Sequence, residues 1–411
     1  MSLVSGWTKK LIGEVCKTGA GGTPLKSFKE YYEGGEIPWL LSGEVAQGEI
    51  FKSENFITQK GLENSSAKMF PVNTVLVAMY GATAGQVGIL RFEAATNQAV
   101  CGILPNDRFI PEYIYYALLS KKAELISKAA GNAQPNISQI KIRNTEIPVP
   151  TLLEQKRIVS IVDEAFEAID IAIDNTKQNL TNARELFNSY LNVIFTEKGD
   201  GWVNKKLGDI SEVQSGGTPL RSKNEYWGGS MAWYSSGELN DLYTSIPERN
   251  VTELGLKNSN AKSFPKGSLL IGMYDTAALK MSILDREAAF NQAIAGVKPS
   301  NEIDLTFILH AINSVKPELL NLRRGVRQKN LSLQKIKDIV LAVPELREQQ
   351  LVVRQLACMS KETQRLEAIY RQKLTALNEL KQSILHKAFT GELTADTADL
   401  KTNIKPEAIC T

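Results

Sequence analysis

Two stretches of the chain place polar and basic side chains where they would meet a polyanion. Gly21-Gly22-Thr23-Pro24 leads into Leu25-Lys26-Ser27-Phe28-Lys29, and Gly216-Gly217-Thr218-Pro219 leads into Leu220-Arg221-Ser222-Lys223. Glycine supplies positive φ and proline fixes a bend, so each stretch reads as a tight turn followed by a short exposed loop. Lysine and arginine there suit phosphate oxygens, while arginine, asparagine, glutamine and aspartate can also read base edges in a major groove. Two further loops in each half have the same character. One follows Tyr80, contains Thr83, and returns as Tyr274-Asp275-Thr276; the other holds Asn132, Gln134 and Asn136 and returns with Arg324, Arg327, Gln328 and Lys329. Gln98 and Gln292, in matching Asn-Gln-Ala triplets, complete the candidate set. For any single residue a solvated loop explains the composition equally well. Three such loops in both halves favour a nucleic-acid surface.

Catalytic patterns are missing. The chain has no Gly-x-x-x-x-Gly-Lys-Ser/Thr, Gly-x-Gly-x-x-Gly, His-Glu-x-x-His or Gly-x-Ser-x-Gly. Gly81-Ala-Thr-Ala-Gly85 is glycine-rich, but its copy Asp275-Thr-Ala-Ala-Leu279 has lost both glycines, so a turn is expected rather than a phosphate cradle. Glu154-Gln155-Lys156 has a nuclease-like spacing without an upstream aspartate to complete a metal site. The two histidines, His310 and His386, fall on expected helices as packing or surface residues. Cys16, Cys101, Cys358 and Cys410 are scattered, which argues for a reducing compartment and against a structural zinc site. The 411 residues are 43% hydrophobic and 23% charged, ordinary for a globular protein of two or three domains. No run approaches the roughly 18 apolar residues of a membrane span, and no signal-peptide core opens the chain. A cytoplasmic location is expected. The net charge of +3 only weakly favours nucleic acid.

The elements that must position these loops occur twice. Trp7 pairs with Trp202, and the Gly-Gly-Thr-Pro turns pair with each other. After a one-residue gap near Tyr31, Trp39 pairs with Trp233, Ser42-Gly-Glu44 with Ser236-Gly-Glu238, Phe70-Pro71 with Phe264-Pro265, and Asn97-Gln-Ala99 with Asn291-Gln-Ala293. Strands are expected at Val72–Tyr80, Gln86–Arg91, Gln98–Leu104 and Ile140–Val149, and a helix at Pro111–Ala130. The second copy repeats them with a strand at Ser268–Tyr274, a helix near Leu305–Leu322 and a strand into Pro344. Loop positions that differ between copies, such as Lys26 against Arg221, are where two domains would read different sequences.

Each copy ends in a long helix-period stripe. Val162, Ala165, Ile169, Ala172, Thr176, Leu180, Ala183, Phe187, Tyr190 and Ile194 recur at three- and four-residue steps in the first. Val352, Leu356, Met359, Thr363, Leu366, Tyr370, Leu374, Leu377 and Ile384 do so in the second. Thr151-Leu-Leu-Glu154, after Pro150, has the pattern of a capping box. Forty-odd residues at about 1.5 Å each make a rod of about 65 Å. A narrow apolar seam of that length requires a partner helix, and an antiparallel pair is the simplest arrangement. The first stripe carries five basic and eight acidic residues over 151–199, which suits a protein partner better than a phosphate backbone.

Taken together, the chain resembles the specificity (S) subunits of type I restriction–modification systems. The resemblance rests on Gly-Gly-Thr-Pro near the start of each half, on the two Asn-Gln-Ala triplets, and on Pro-x-x-x-Glu-Gln at 150–155 and 344–349. The closing Leu-Lys-Gln-Ser-Ile-Leu-His-Lys-Ala-Phe-Thr-Gly-Glu-Leu at 380–393 is also characteristic. Phe195-Thr-Glu-Lys-Gly199 departs from it. The resemblance implies an α+β fold: two pseudo-repeated mixed α/β DNA target recognition domains, 1–150 and 200–344, separated by two long α-helices, 151–199 and 345–390, packed as an antiparallel coiled coil. A polar tail, 391–411, follows. Each domain would read one half of a bipartite double-stranded DNA site, and the helices would space the halves by at most ~19 base pairs. Two methyltransferase (modification) subunits are implied as partners, with restriction subunits in the full complex and no membrane. No cofactor would bind this chain; S-adenosylmethionine, Mg and ATP would belong to the partners. A self-contained methyltransferase would need an Asn/Asp-Pro-Pro-Tyr/Phe motif, which is absent. A coiled-coil scaffold with protein-binding end domains is the alternative.

Overall fold

A computed structural model describes residues 7–129, 136–321 and 331–395. The chain divides into two compact units, one formed by residues up to Lys177 with those from Gln372 onward, the other by Gln178–Arg371.

In the first unit, strand Val75–Ala78 lies inside a five-stranded sheet. Its order is Thr18–Ala20, Val100–Ile103, Val75–Ala78, Val87–Leu90, Glu49–Ile50, antiparallel except for the last pair. Val75 and Val77 pack with Tyr113, Ile114 and Ala117 of helix Pro111–Ser120. Leu76 and Ala78 face the other way, onto Leu40, Phe70 and Ala94 of a second sheet. Burial on both faces is why this strand is an unbroken apolar run rather than an alternating one. The second sheet orders Phe56–Ile57, Ile37–Leu40, Ala94–Thr96 and Met69–Phe70. Its far side carries Trp39, Ile57, Ala67 and Ala95.

The second unit repeats these layers. Val213–Ser215, Ile294–Val297, Leu269–Gly272 and Met281–Ile283 form one sheet; Arg249–Val251, Trp227–Tyr234 and Ala288–Phe290 form the other. A parallel bridge from Tyr243 to Ile283 stands where the first unit has its fifth strand. The one-residue gap falls beside Tyr32. Its ring meets Trp39 edge-on in the first unit, and Trp227 meets Trp233 in the same way in the second.

Three expected elements differ. The strand expected at Val72–Tyr80 starts only at Val75, because Asn73 takes φ 67° and the Thr74 N–H closes a turn onto the Pro71 carbonyl. The stretch expected as a strand from Ile140 opens as a helical turn, Gln139–Arg143, whose Ser138 Oγ accepts from the Lys141 N–H. Only Glu146–Val149 is strand, paired with Thr8–Leu11. The helix expected over Pro111–Ala130 breaks at Lys121, where the N–H closes onto the Leu118 carbonyl three residues back.

The long stripes are helices Leu152–Glu197 and Leu346–Thr390. In the first unit Ile158 and Val162 pack with Leu385, Ala388 and Phe389, and Lys381 bonds Asp170 at 2.5 Å. In the second, Leu191 and Phe195 share a core with Val352 and Leu356, and Arg184 pairs with Glu367. Low numbers on one helix meet high numbers on the other, so the pair is antiparallel within each unit. Thr151 Oγ1 accepts the Glu154 N–H, one half of the expected capping box, and among the described hydrogen bonds the returning half is not found. The neighbouring glutamine makes the firmer attachment. Gln155, fully buried, accepts from the Ile110 N–H and donates to the Arg108 and Pro150 carbonyls; Gln349 does the same with Asp304, Glu302 and Pro344. Each helix is thereby tied to its own domain.

Cys16 and Cys101 are buried free thiols, the latter pushed up to about 12 by burial, and Cys358 is exposed. Among the described residues no helix is long and apolar enough to cross a membrane, and no three His, Cys, Asp or Glu side chains gather as metal ligands.

Candidate nucleic-acid interface

Antiparallel register brings the candidate loops to one end of the main sheet in each unit. Strand Thr18–Ala20 finishes opposite Cys101, and the Gly21 N–H bonds the Val100 carbonyl, so the Gly-Gly-Thr-Pro turn starts beside the Asn-Gln-Ala turn. The Met79 N–H bonds the Ala99 carbonyl, which sets Tyr80 on the other side of that turn. The Ile137 N–H bonds the Met79 carbonyl, and Asn136 bridges Tyr80. In the second unit Gly216 bonds Ile294, Met273 bonds Ala293, and Leu331 bonds Met273.

The turns are wedged tightly. A Cβ on Gly22 would lie 2.2 Å from the Ser66 carbonyl carbon, and one on Gly217 would lie 2.4 Å from the Ala261 nitrogen. Trp39 Nε1 donates to the Gly22 carbonyl at 2.9 Å, and Trp233 Nε1 to that of Gly217 at 3.0 Å. Asn97 Oδ1 accepts from the Ala99 N–H and Asn291 Oδ1 from Ala293, rigidifying the second turn. The two motifs then join directly: Thr23 Oγ1 donates to Gln98 Oε1, and Thr218 Oγ1 to Gln292 Oε1 at 2.6 Å. Both glutamines are exposed. With Oε1 engaged, each presents its amide nitrogen as a donor suited to base acceptors or phosphate oxygens.

Beyond the turn, Leu25–Phe28 and Leu220–Lys223 each close with one backbone hydrogen bond of 3.1 Å. Lys26, Ser27, Arg221 and Ser222 stand exposed on them. Lys29 and Lys223 are also exposed; Lys29 lies 3.9 Å from Glu33, while Lys223 pairs with Glu225 and sits over the Tyr226 ring. Tyr80 is exposed, with Thr83 Oγ1 bonded to its carbonyl, whereas Tyr274 packs partly against the core and Thr276 is exposed. The Asp275 side chain, together with Asn132, Gln134, Arg324, Arg327, Gln328 and Lys329, lies outside the described residues. Gly81 and Gly85 both take positive φ in the turn after Tyr80; Leu279 holds φ 56° at the Gly85 position, so the turn survives the loss of its glycines.

One neighbouring segment escaped the sequence reading. In the second unit a polar cleft of about 700 Å³ is walled by Gly217, Thr218, Gln292 and Asn258-Ser259-Asn260 with Lys262. The signal was present, since Ala67-Lys68 and Ala261-Lys262 match between copies. Only the fold shows that this segment abuts the Gly-Gly-Thr-Pro turn.

A duplicated α+β unit carrying this loop platform defines a pair of recognition domains. Comparison agrees: residues 4–182 and 199–376 each match the type I restriction modification DNA specificity domain. The chain belongs to that family, with two copies of the domain. It is 24% identical over 426 residues to the StySPI specificity subunit of Salmonella potsdam, covering 96% of this chain and 90% of that one. It is 26% identical over 192 residues to the EcoR124I/EcoR124II specificity subunit of Escherichia coli, and 27% identical over 286 residues to the MjaIX specificity subunit of Methanocaldococcus jannaschii. Those matches cover 46% and 64% of this chain and span 48% and 65% of the relatives' lengths. In fold, the chain resembles one from a solved type I restriction–modification system (TM-score 0.76, 19% identity, 95% of this chain and 99% of that one). It also resembles the HsdS subunit from Thermoanaerobacter tengcongensis (TM-score 0.64, 19% identity, 96% and 99%).

Proposed function

We propose that this chain is the DNA-reading subunit of a type I restriction–modification assembly and that each domain reads one half of a bipartite double-stranded site. The observation that carries the reading is the repeated platform: the same locked Thr–Gln turn pair in both units, with differing exposed side chains around it. Rigid turns fix where donors sit, and the variable positions, Lys26 against Arg221 foremost, give each half its own contacts. Thr23, Ser27, Tyr80, Thr83, Gln98 and Asn136 serve the first half-site; Thr218, Ser222, Thr276 and Gln292 serve the second. Lys29 and Lys223, already partnered, shape the loops.

In this reading the chain itself catalyses nothing. Two modification subunits dock on the paired helices, bind S-adenosylmethionine and methylate adenine, while Mg and ATP belong to restriction subunits. The helices set the distance between half-sites, and a chromosomal substrate places the work in the cytoplasm. Methylome sequencing of cells expressing this chain with its companion methyltransferase, against the methyltransferase alone, tests it. A split adenine-methylated motif is expected only when this chain is present. The same methylation without it would refute the reading.

A further inference from the structure

We infer, building on the DNA-reading function proposed above, that the second domain holds a DNA-phosphate clamp formed by Arg221 and Arg249 that the first domain lacks. A cleft of about 420 Å³ beside the recognition turn is lined by Arg221, Asn224, Trp227, Glu248, Arg249 and Asn250. Arg221 reaches it from the turn. Arg249 reaches it from the first position of Arg249–Val251, the outer strand of the three-stranded sheet.

The cleft floor is fixed. Trp227 Nε1 donates to the Leu220 carbonyl at 3.3 Å, and its ring meets Trp233 edge-on at 5.1 Å. Trp233 in turn holds the Gly217 carbonyl. The Arg249 guanidinium lies over the Trp227 ring, 5.8 Å from its centroid. Stacking on a held indole pre-orients the guanidinium while leaving its N–H edge available. Among the described residues neither Arg221 nor Arg249 forms an ion pair, and both are exposed. Glu248 is the single carboxylate in the lining, and its backbone N–H is held by Glu238 Oε1. Two guanidinium groups on one cleft with one carboxylate leave a net positive site whose fork geometry fits a phosphodiester.

The first domain cannot build the same site. Lys26, Lys29, Tyr32, Asn55 and Phe56 stand at the corresponding positions, with Lys29 in place of Asn224. Asn55 is already committed, with its carbonyl accepting the Trp39 N–H and its amide bonding Glu44. The cations at these positions are Lys26 and Lys29, the latter 3.9 Å from Glu33, so no guanidinium pair forms there.

The test titrates the full-length chain, co-expressed with its methyltransferase partner, against duplexes carrying its methylated motif, by fluorescence anisotropy from about 50 to about 300 mM salt. R249A is expected to bind roughly tenfold more weakly and to reduce the slope of log K against log salt by about 0.9, one phosphate contact. The motif selected from a random duplex pool should stay the same, R249K should keep most of the slope, and N55A should change neither quantity. An unchanged slope in R249A, with wild type still binding, would overturn the clamp alone. So would relaxed base preference in the second half-site, which would make Arg249 a base contact. Wild-type chain without salt-dependent DNA binding would instead fell the DNA-reading function beneath it.

Discussion

Gln155→Leu keeps the size of the buried side chain and removes its amide. Gln155 has no solvent exposure, and its three bonds are to the Ile110 N–H at 3.0 Å and to the Arg108 and Pro150 carbonyls at 3.0 and 3.1 Å. At about 1 kcal/mol net per bond, their loss costs about 3 kcal/mol. Leucine returns about 1 kcal/mol through added apolar burial. The net loss of about 2 kcal/mol is a large share of a domain's stability. It should lower the thermal transition of the first unit by roughly 4–8 °C, as read by calorimetry. Hydrogen exchange should show the Ile110 amide losing protection first. Gln349→Leu should do the same to the second unit through Asp304, Glu302 and Pro344. A transition moved by less than 1 °C, with Ile110 still protected, would show that these bonds do not fasten helix to domain.

Arg221→Ala should weaken only the second domain's hold on DNA, measured as lower affinity for a duplex carrying the second half-site alone; equal weakening on a duplex carrying the first half-site alone would contradict the division of labour. Gly22→Ala should distort the first recognition turn at a cost of about 1–3 kcal/mol, because the new methyl meets Ser66 backbone, and selective loss of first half-site binding would report it. Burial pushes the His310 imidazole down to about 4 from 6.5. Folded protein keeps it neutral where the unfolded chain takes up a proton, so its stabilisation is full above 6.5 and is lost as pH falls toward 4. The loss is on the order of 3 kcal/mol at most, and less insofar as the ring reaches water. His310→Leu should flatten denaturant-derived stability across that window. Lys198 ends the first long helix at φ 47°, so Lys198→Gly should stabilise the second unit by roughly 1 kcal/mol in a urea titration.

The duplication, the two long helices and their seams follow from the sequence, because repeats and helical periods are written in neighbouring residues. Val162, Ile169, Thr176 and Ala183 are buried as their spacing predicts. Near the helix ends the seam shifts to Ile158, Leu191, Phe195 and Leu385, where the domain core and the partner helix cover it together. The polar loops were visible as candidates, but their convergence was not. It depends on Gly21 meeting Val100 and on Met79 meeting both Ala99 and Ile137, contacts that strand register creates across long stretches of chain. Nor could composition reveal that Gln155 is a buried tie while Glu154 beside it is not. Periodicity is a local property and determined which elements form. Hydrogen-bond partners distant in sequence are chosen by packing, and only the tertiary structure decided which loops share one surface.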